Sequence, residues 1–142
     1  MKIPDDMYEH VFALVSGMTS AAGDEDVKTY WRLYDELEAY CQVQTERDHP
    51  FLWETLADFT MDDQVALALY LKALAKAQLL GAADYEASIL LSLAERHKDI
   101  GNMDLAYRYA LEASAKAGAL DNAALRRNIS EFLASGFGTA SP

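Results

Sequence analysis

The chain has 142 residues, 51% of them hydrophobic, and a formal net charge of -11. Its length fits one domain, and its apolar content argues against disorder over most of that length. So negative a chain repels nucleic-acid phosphates, which disfavours DNA or RNA as a partner and suits a basic protein, although acidity also serves solubility alone.

Ala, Leu, Glu and Lys dominate long stretches broken by only 3 Pro and 7 Gly, and Val and Ile are sparse. These compositions predict an all-α protein of about seven helices. The first begins near Pro4-Asp5-Asp6 and carries Met7, Val11, Leu14, Val15 and Met18 at helical spacing, ending near Ala22-Gly23. Asp24 is placed as the cap of the second, with Val27, Tyr30, Trp31, Tyr34, Leu37 and Cys41 following. Asp48-His49-Pro50 breaks the chain. A short third helix covers 51–59, and a fourth runs from Asp62 to Leu80, stopped by Gly81. The fifth spans Asp84 to Asp99 with Gly101 behind it, and the sixth spans Met103 to Ala117, stopped by Gly118. The seventh runs from Asp121 to Ala134, and residues 135–142 read as a frayed tail.

Two segments share an order of residues. Trp53, Leu56 and Ala57 are followed by Ala66, Tyr70 and Ala73; Leu90, Leu93, Ala94 and His97 are followed by Gly101, Ala106, Ala110 and Ala113. Small residues at these places let paired helices approach closely. The order resembles the tetratricopeptide repeat, with two degenerate copies over residues 51–118. Leu90, His97 and Ala110 stand where that family carries larger aromatics, and the turn from Thr60 to Asp63 is shorter and lacks its glycine. The resemblance implies antiparallel helical hairpins stacked as a short right-handed superhelix. Residues 1–134 then form one helical domain: an N-terminal pair over 1–47, the repeats, and a capping helix over 121–134. That cap has Arg126, Arg127, Asn128 and Glu131 on its polar face and Leu125, Ile129, Phe132 and Leu133 on its apolar one.

Residues able to do chemistry are scattered. His10, His49 and His97 have no metal-ligand spacing, and His97 reads as a packed core residue. Cys41 is the sole cysteine, lies on the apolar side of its helix and reads as a buried structural thiol; the absence of a disulfide pair agrees with a reducing compartment. No phosphate loop or nucleophile motif occurs, so no catalytic residue, metal or cofactor is assigned and a non-enzymatic protein is expected. The start of the chain has no secretory pattern and no window is apolar enough for a membrane span, which places the expectation in the cytoplasm.

By resemblance, the first helix of each hairpin lines a concave groove: Glu54, Thr55 and Asp58 in one repeat, and Ser88, Leu91, Ser92, Glu95 and Lys98 in the next. The family's carboxylate clamp needs Lys, Arg and Asn where Thr55, Asp58, Ser92 and Glu95 stand, so a basic protein or peptide is the expected partner rather than an acidic tail. Tyr30, Trp31 and Tyr34 form a second candidate interface, because three aromatics within one and a half turns cannot all face one core. The leading expectation is a protein-interaction module, with a toxin-neutralising immunity protein and a secretion chaperone as two versions of it. A helical subunit that homodimerises through the N-terminal aromatics is the alternative, and an enzyme that no motif reveals is the third.

Overall fold

The computed structural model describes residues 2–136. Among them the chain forms seven α-helices and no strand: α1 (Asp5–Gly23), α2 (Val27–Val43), α3 (Pro50–Asp58), α4 (Asp63–Leu80), α5 (Ala83–Asp99), α6 (Met103–Ala117) and α7 (Ala123–Gly136). The all-α class expected from composition is the observed one. Packing follows chain order. The most extensive contacts join α5 to α6, α3 to α4 and α1 to α2, while α4 on α5 and α6 on α7 link successive pairs. Contacts that skip one helix join α3 to α5 and α5 to α7.

The apolar spacing explains which faces turn inward. Met7, Val11, Leu14, Met18 and Ala21 are buried along α1, and Tyr30, Tyr34, Leu37 and Cys41 along α2. Both helices thus present a single stripe. In contrast, α3 buries everything from Leu52 to Ala57, and α5 buries Ala87, Ile89, Leu90, Leu91, Leu93, Ala94 and His97. Helices buried on several sides occupy the middle of a fold. The outer face of α6 is wet, and its inner face is a row of alanines at 106, 110, 113 and 117.

Three turns are closed in the same way. After α1, Asp26 N–H donates to Ala21 O and Glu25 N–H to Ala22 O. After α4, Ala82 bonds Ala77 and Gly81 bonds Gln78; after α5, Asn102 bonds His97 and Gly101 bonds Lys98. This paired pattern needs a left-handed residue just past the helix. Gly81 (φ 65°) and Gly101 (φ 88°) supply it as their sequence positions suggested, whereas at the first turn the residue is Glu25 (φ 57°).

That turn corrects the expected cap of α2. Residues 24–26 are consumed in closing α1, so α2 starts at Val27, and Asp26 rather than Asp24 caps it by accepting from Thr29 N–H at 3.2 Å. Asp62 caps α4 through Val65 N–H, at the expected place. Gly118 keeps a right-handed φ of -59°, so it ends α6 without the left-handed turn. The last helix starts at Ala123, because Asn122 caps it by accepting from Leu125 N–H. It reaches Gly136, so Ser135 and Gly136 belong to the helix rather than to a tail, and the remainder of the expected tail lies outside the described residues. Arg126 also departs from the expected outer face: it is half-buried, and its guanidinium donates to Leu120 O.

Candidate functional site

Among the described residues no helix is long and apolar enough to cross a membrane, and no group of His, Cys, Asp and Glu is placed to hold a metal ion. The histidines are spread over the fold. His10 stacks on Tyr40, His97 stacks on Tyr109 with Asn102 beside its Nδ1, and His49 accepts from Phe51 N–H to cap α3. Burial lowers the pKa of His97 below its ordinary value. Cys41 is buried against Leu52 O, and burial pushes its thiol up to about 12, leaving it protonated and a poor nucleophile.

The residues expected to line a groove come together where α3 meets α5. Glu54 on α3 accepts from Ser88 Oγ on α5 at 2.7 Å, and this bond bridges the two helices. Only 9% of Glu54 is exposed. Burial raises its pKa to about 7, against the lowering effect of Ser88 and with the help of the charges on Asp58 and Asp84. One turn further along α3, Asp58 accepts from Tyr70 O–H of α4 at 2.5 Å. Asp58 keeps part of its surface in solvent, yet the surrounding helices desolvate its carboxyl enough to raise its pKa, against Tyr70 and Arg96. Glu95 on α5 is exposed, and its pKa is raised by desolvation and by the charges of Asp58 and Asp99. The charge of Asp58 therefore acts on both Glu54 of its own helix and Glu95 of α5. Among the described residues none of the three has a Lys or Arg within ion-pair distance.

The other expected groove residues divide. Thr55 and Leu91 are buried and serve the packing of their helices; Ser88 and Ser92 are half-buried. Lys98 leaves the group: its ammonium lies 5.5 Å from the centre of the Phe132 ring on α7. Sequence reasoning missed Arg96, which fixes the geometry. Its guanidinium donates to Ala57 O and Thr60 O at the end of α3 and to Asp63 at the start of α4, so α5 clamps the α3–α4 turn. Asp84, which adds to the field on Glu54, was missed as well. Neither stands out in sequence, since both look like ordinary helix-surface charges.

The second candidate set also divides. Tyr30 is buried and donates to Phe59 O at 2.6 Å; Tyr34 is buried and sits 2.6 Å from Thr60 Oγ1. Trp31 is the aromatic left out, 41% exposed, with its ring edge-on to both tyrosines at 5.5 Å. Beside it lies a depression of about 420 Å³ between the α1–α2 corner and the α3–α4 turn. Met61, 62% exposed, and Val27, 64% exposed, complete its walls. The sequence marks Tyr30 and Trp31 of this lining, but not Met61, which stands in the otherwise polar run Thr60–Asp63.

No family model matches the chain, and no curated protein or solved structure matches it either.

Proposed function

We propose that the chain is a non-enzymatic, tetratricopeptide-like protein-binding module whose α3–α5 face receives a lysine- or arginine-bearing segment of a partner protein. The observation that carries this reading is Glu54, a buried carboxylate hydrogen-bonded between two helices in the field of Asp58 and Asp84, with no Lys or Arg in ion-pair distance among the described residues. Burying a carboxylate without a counter-charge is costly, and neighbouring negative charge adds to the cost. An incoming ammonium or guanidinium relieves both terms at once, so the energy stored at the face becomes binding energy. The net charge of -11 adds long-range attraction for a basic partner and speeds encounter. The succession of paired helices, with α3 touching α5 and α5 touching α7, supports the repeat-like part of the reading.

The test uses a fluorescein-labelled peptide of alternating lysine and alanine, read by anisotropy at low salt. Glu54→Gln with Glu95→Gln is expected to weaken binding at least tenfold, while Glu36→Gln with Glu38→Gln, the same charge change on the outside of α2, is expected to weaken it less than twofold. Equal losses from the two pairs would reduce the effect to the overall field and sink the site. The pH dependence has a definite sign. Bound cations favour the charged form of Glu54, so binding below about pH 7 must first remove its proton. Affinity therefore falls by about tenfold from pH 8 to pH 6 in the wild type, and Glu54→Gln flattens that slope.

A further inference from the structure

We propose that the depression beside Trp31 docks a large apolar side chain flanked by lysine or arginine on a partner protein, at a place separate from the α3–α5 face. The floor is the buried Ala21 near the end of α1, the walls are Val27, Trp31 and Met61, and the rim is formed by Glu25 and Asp26. A volume of about 420 Å³ is within the range of clefts that hold ligands, roughly 300–1,000 Å³. Three large apolar side chains, Val27, Trp31 and Met61, are left in water around one hollow. Trp31 is also held ready: the edges of Tyr30 and Tyr34 fix its ring, and both tyrosines are in turn anchored to the α3–α4 turn by their hydroxyls. A rigid, half-exposed tryptophan loses little freedom on binding, which is why such residues anchor interfaces.

The charge of the rim selects the occupant. The lining contains two carboxylates and no Lys or Arg. The Asp26 carboxylate is fixed by Thr29 N–H, and Glu25 is held at the corner in the left-handed conformation. The two turns of the same hydrogen-bond pattern use glycine there, so a carboxylate stands at this rim at the expense of backbone strain. A second copy of this chain would bring another charge of -11 against that rim, which opposes self-association. A basic segment carrying Phe, Leu or Met satisfies the apolar hollow and the rim together.

The probe is the pentapeptide Lys-Lys-Phe-Lys-Lys, titrated into the full chain while the two indole N–H resonances are followed by NMR. The indole of Trp53, bonded to Asp48 and covered by Lys72, is the internal control. The Trp31 signal is expected to shift in a saturable way with little change at Trp53; replacing the peptide's Phe by Ala weakens the effect at least tenfold, and Glu-Glu-Phe-Glu-Glu produces none. Met61→Lys, at an exposed position that leaves the fold intact, is expected to abolish the shift, whereas Glu54→Gln with Glu95→Gln leaves it unchanged. That last pair separates this proposal from the α3–α5 face, whose own peptide binding survives Met61→Lys. Equal shifts from the Phe and Ala peptides, or from the acidic peptide, would overturn the docking mode. A wild-type dimer in sedimentation that Met61→Lys dissolves would overturn it too, by giving the hollow to a second copy.

Discussion

The α1–α2 and α5–α6 turns are closed by the same two backbone hydrogen bonds, but the helices they join are held by different chemistry. In the C-terminal pair, Ala94 of α5 and Ala106, Ala110 and Ala113 of α6 are fully buried, and Gly101 turns the chain. In the N-terminal pair the inward residues are large, among them Met7, Met18, Tyr30 and Tyr34, and Glu25 turns the chain. The first solution depends on closeness. The second depends on large side chains, two of which reach out to the α3–α4 turn. One lesson is that a common turn geometry does not impose a common seam; what lines the seam decides how much change it tolerates and what is left over for a partner.

Enlarging a seam residue should break the C-terminal pair far more than the N-terminal one. Ala94→Leu is expected to cost about 3 kcal/mol in urea denaturation, because a filled core can take three more carbons only by moving a helix. Ala115→Leu, on the exposed side of α6, should stay within about 0.5 kcal/mol and excludes a helix-propensity explanation. In the N-terminal pair, Gly17→Ala puts a methyl 2.7 Å from Leu33 Cδ1, the end of a half-buried side chain that can swing aside. The gain in helix propensity, about 1 kcal/mol, should offset that shift and leave stability near wild type. A large loss at Gly17 and none at Ala94 would reverse the comparison.

The turns themselves should respond in opposite directions. Gly101→Ala forces a side chain into the left-handed region, where space is open and only the backbone objects, and should cost about 1–2 kcal/mol. Glu25→Gly relieves the same strain and should stabilise the protein by about 1 kcal/mol in the same assay. If the hollow beside Trp31 is a docking place, that stabilised variant also binds the basic pentapeptide more weakly, which would separate fold from function at one residue.

Legibility followed the same divide. The alanines at 94, 106 and 113 and the glycines at 81 and 101 are legible in the sequence, since small residues in register and glycine after a helix each have few physical uses. The corner at Asp24-Glu25-Asp26 is not, because nothing in three acidic residues marks one of them as left-handed, and the first of them looks as good a cap as Asp26, two residues on. The candidate face was legible as positions, Glu54, Asp58 and Glu95, but the burial of Glu54 among them was not. That Glu54 is desolvated depends on α3 being enclosed on most sides, which is a property of the packed fold rather than of nine residues. Met61 beside Trp31 joins residues thirty apart, and no local spacing shows that.

The smallest effect tests whether the aromatic anchoring of the N-terminal pair is polar at all. Thr60 Oγ1 donates to Leu56 O at 2.8 Å, which commits its hydrogen, so Tyr34 O–H must be the donor in the 2.6 Å bond between them. Tyr34→Phe removes one donor but leaves Thr60 bonded to α3. Thr60→Val removes both of its bonds and leaves the tyrosine hydroxyl buried without its acceptor. A double-mutant cycle over these two changes should give a coupling of about 0.5–1 kcal/mol, with Tyr34→Phe the milder single variant. A coupling indistinguishable from zero would mean that ring packing alone holds α2 to the α3–α4 turn. Trp31 would then be steadied by shape rather than by hydrogen-bonded neighbours, and its readiness for a partner would depend on the tyrosine rings and not on their hydroxyls.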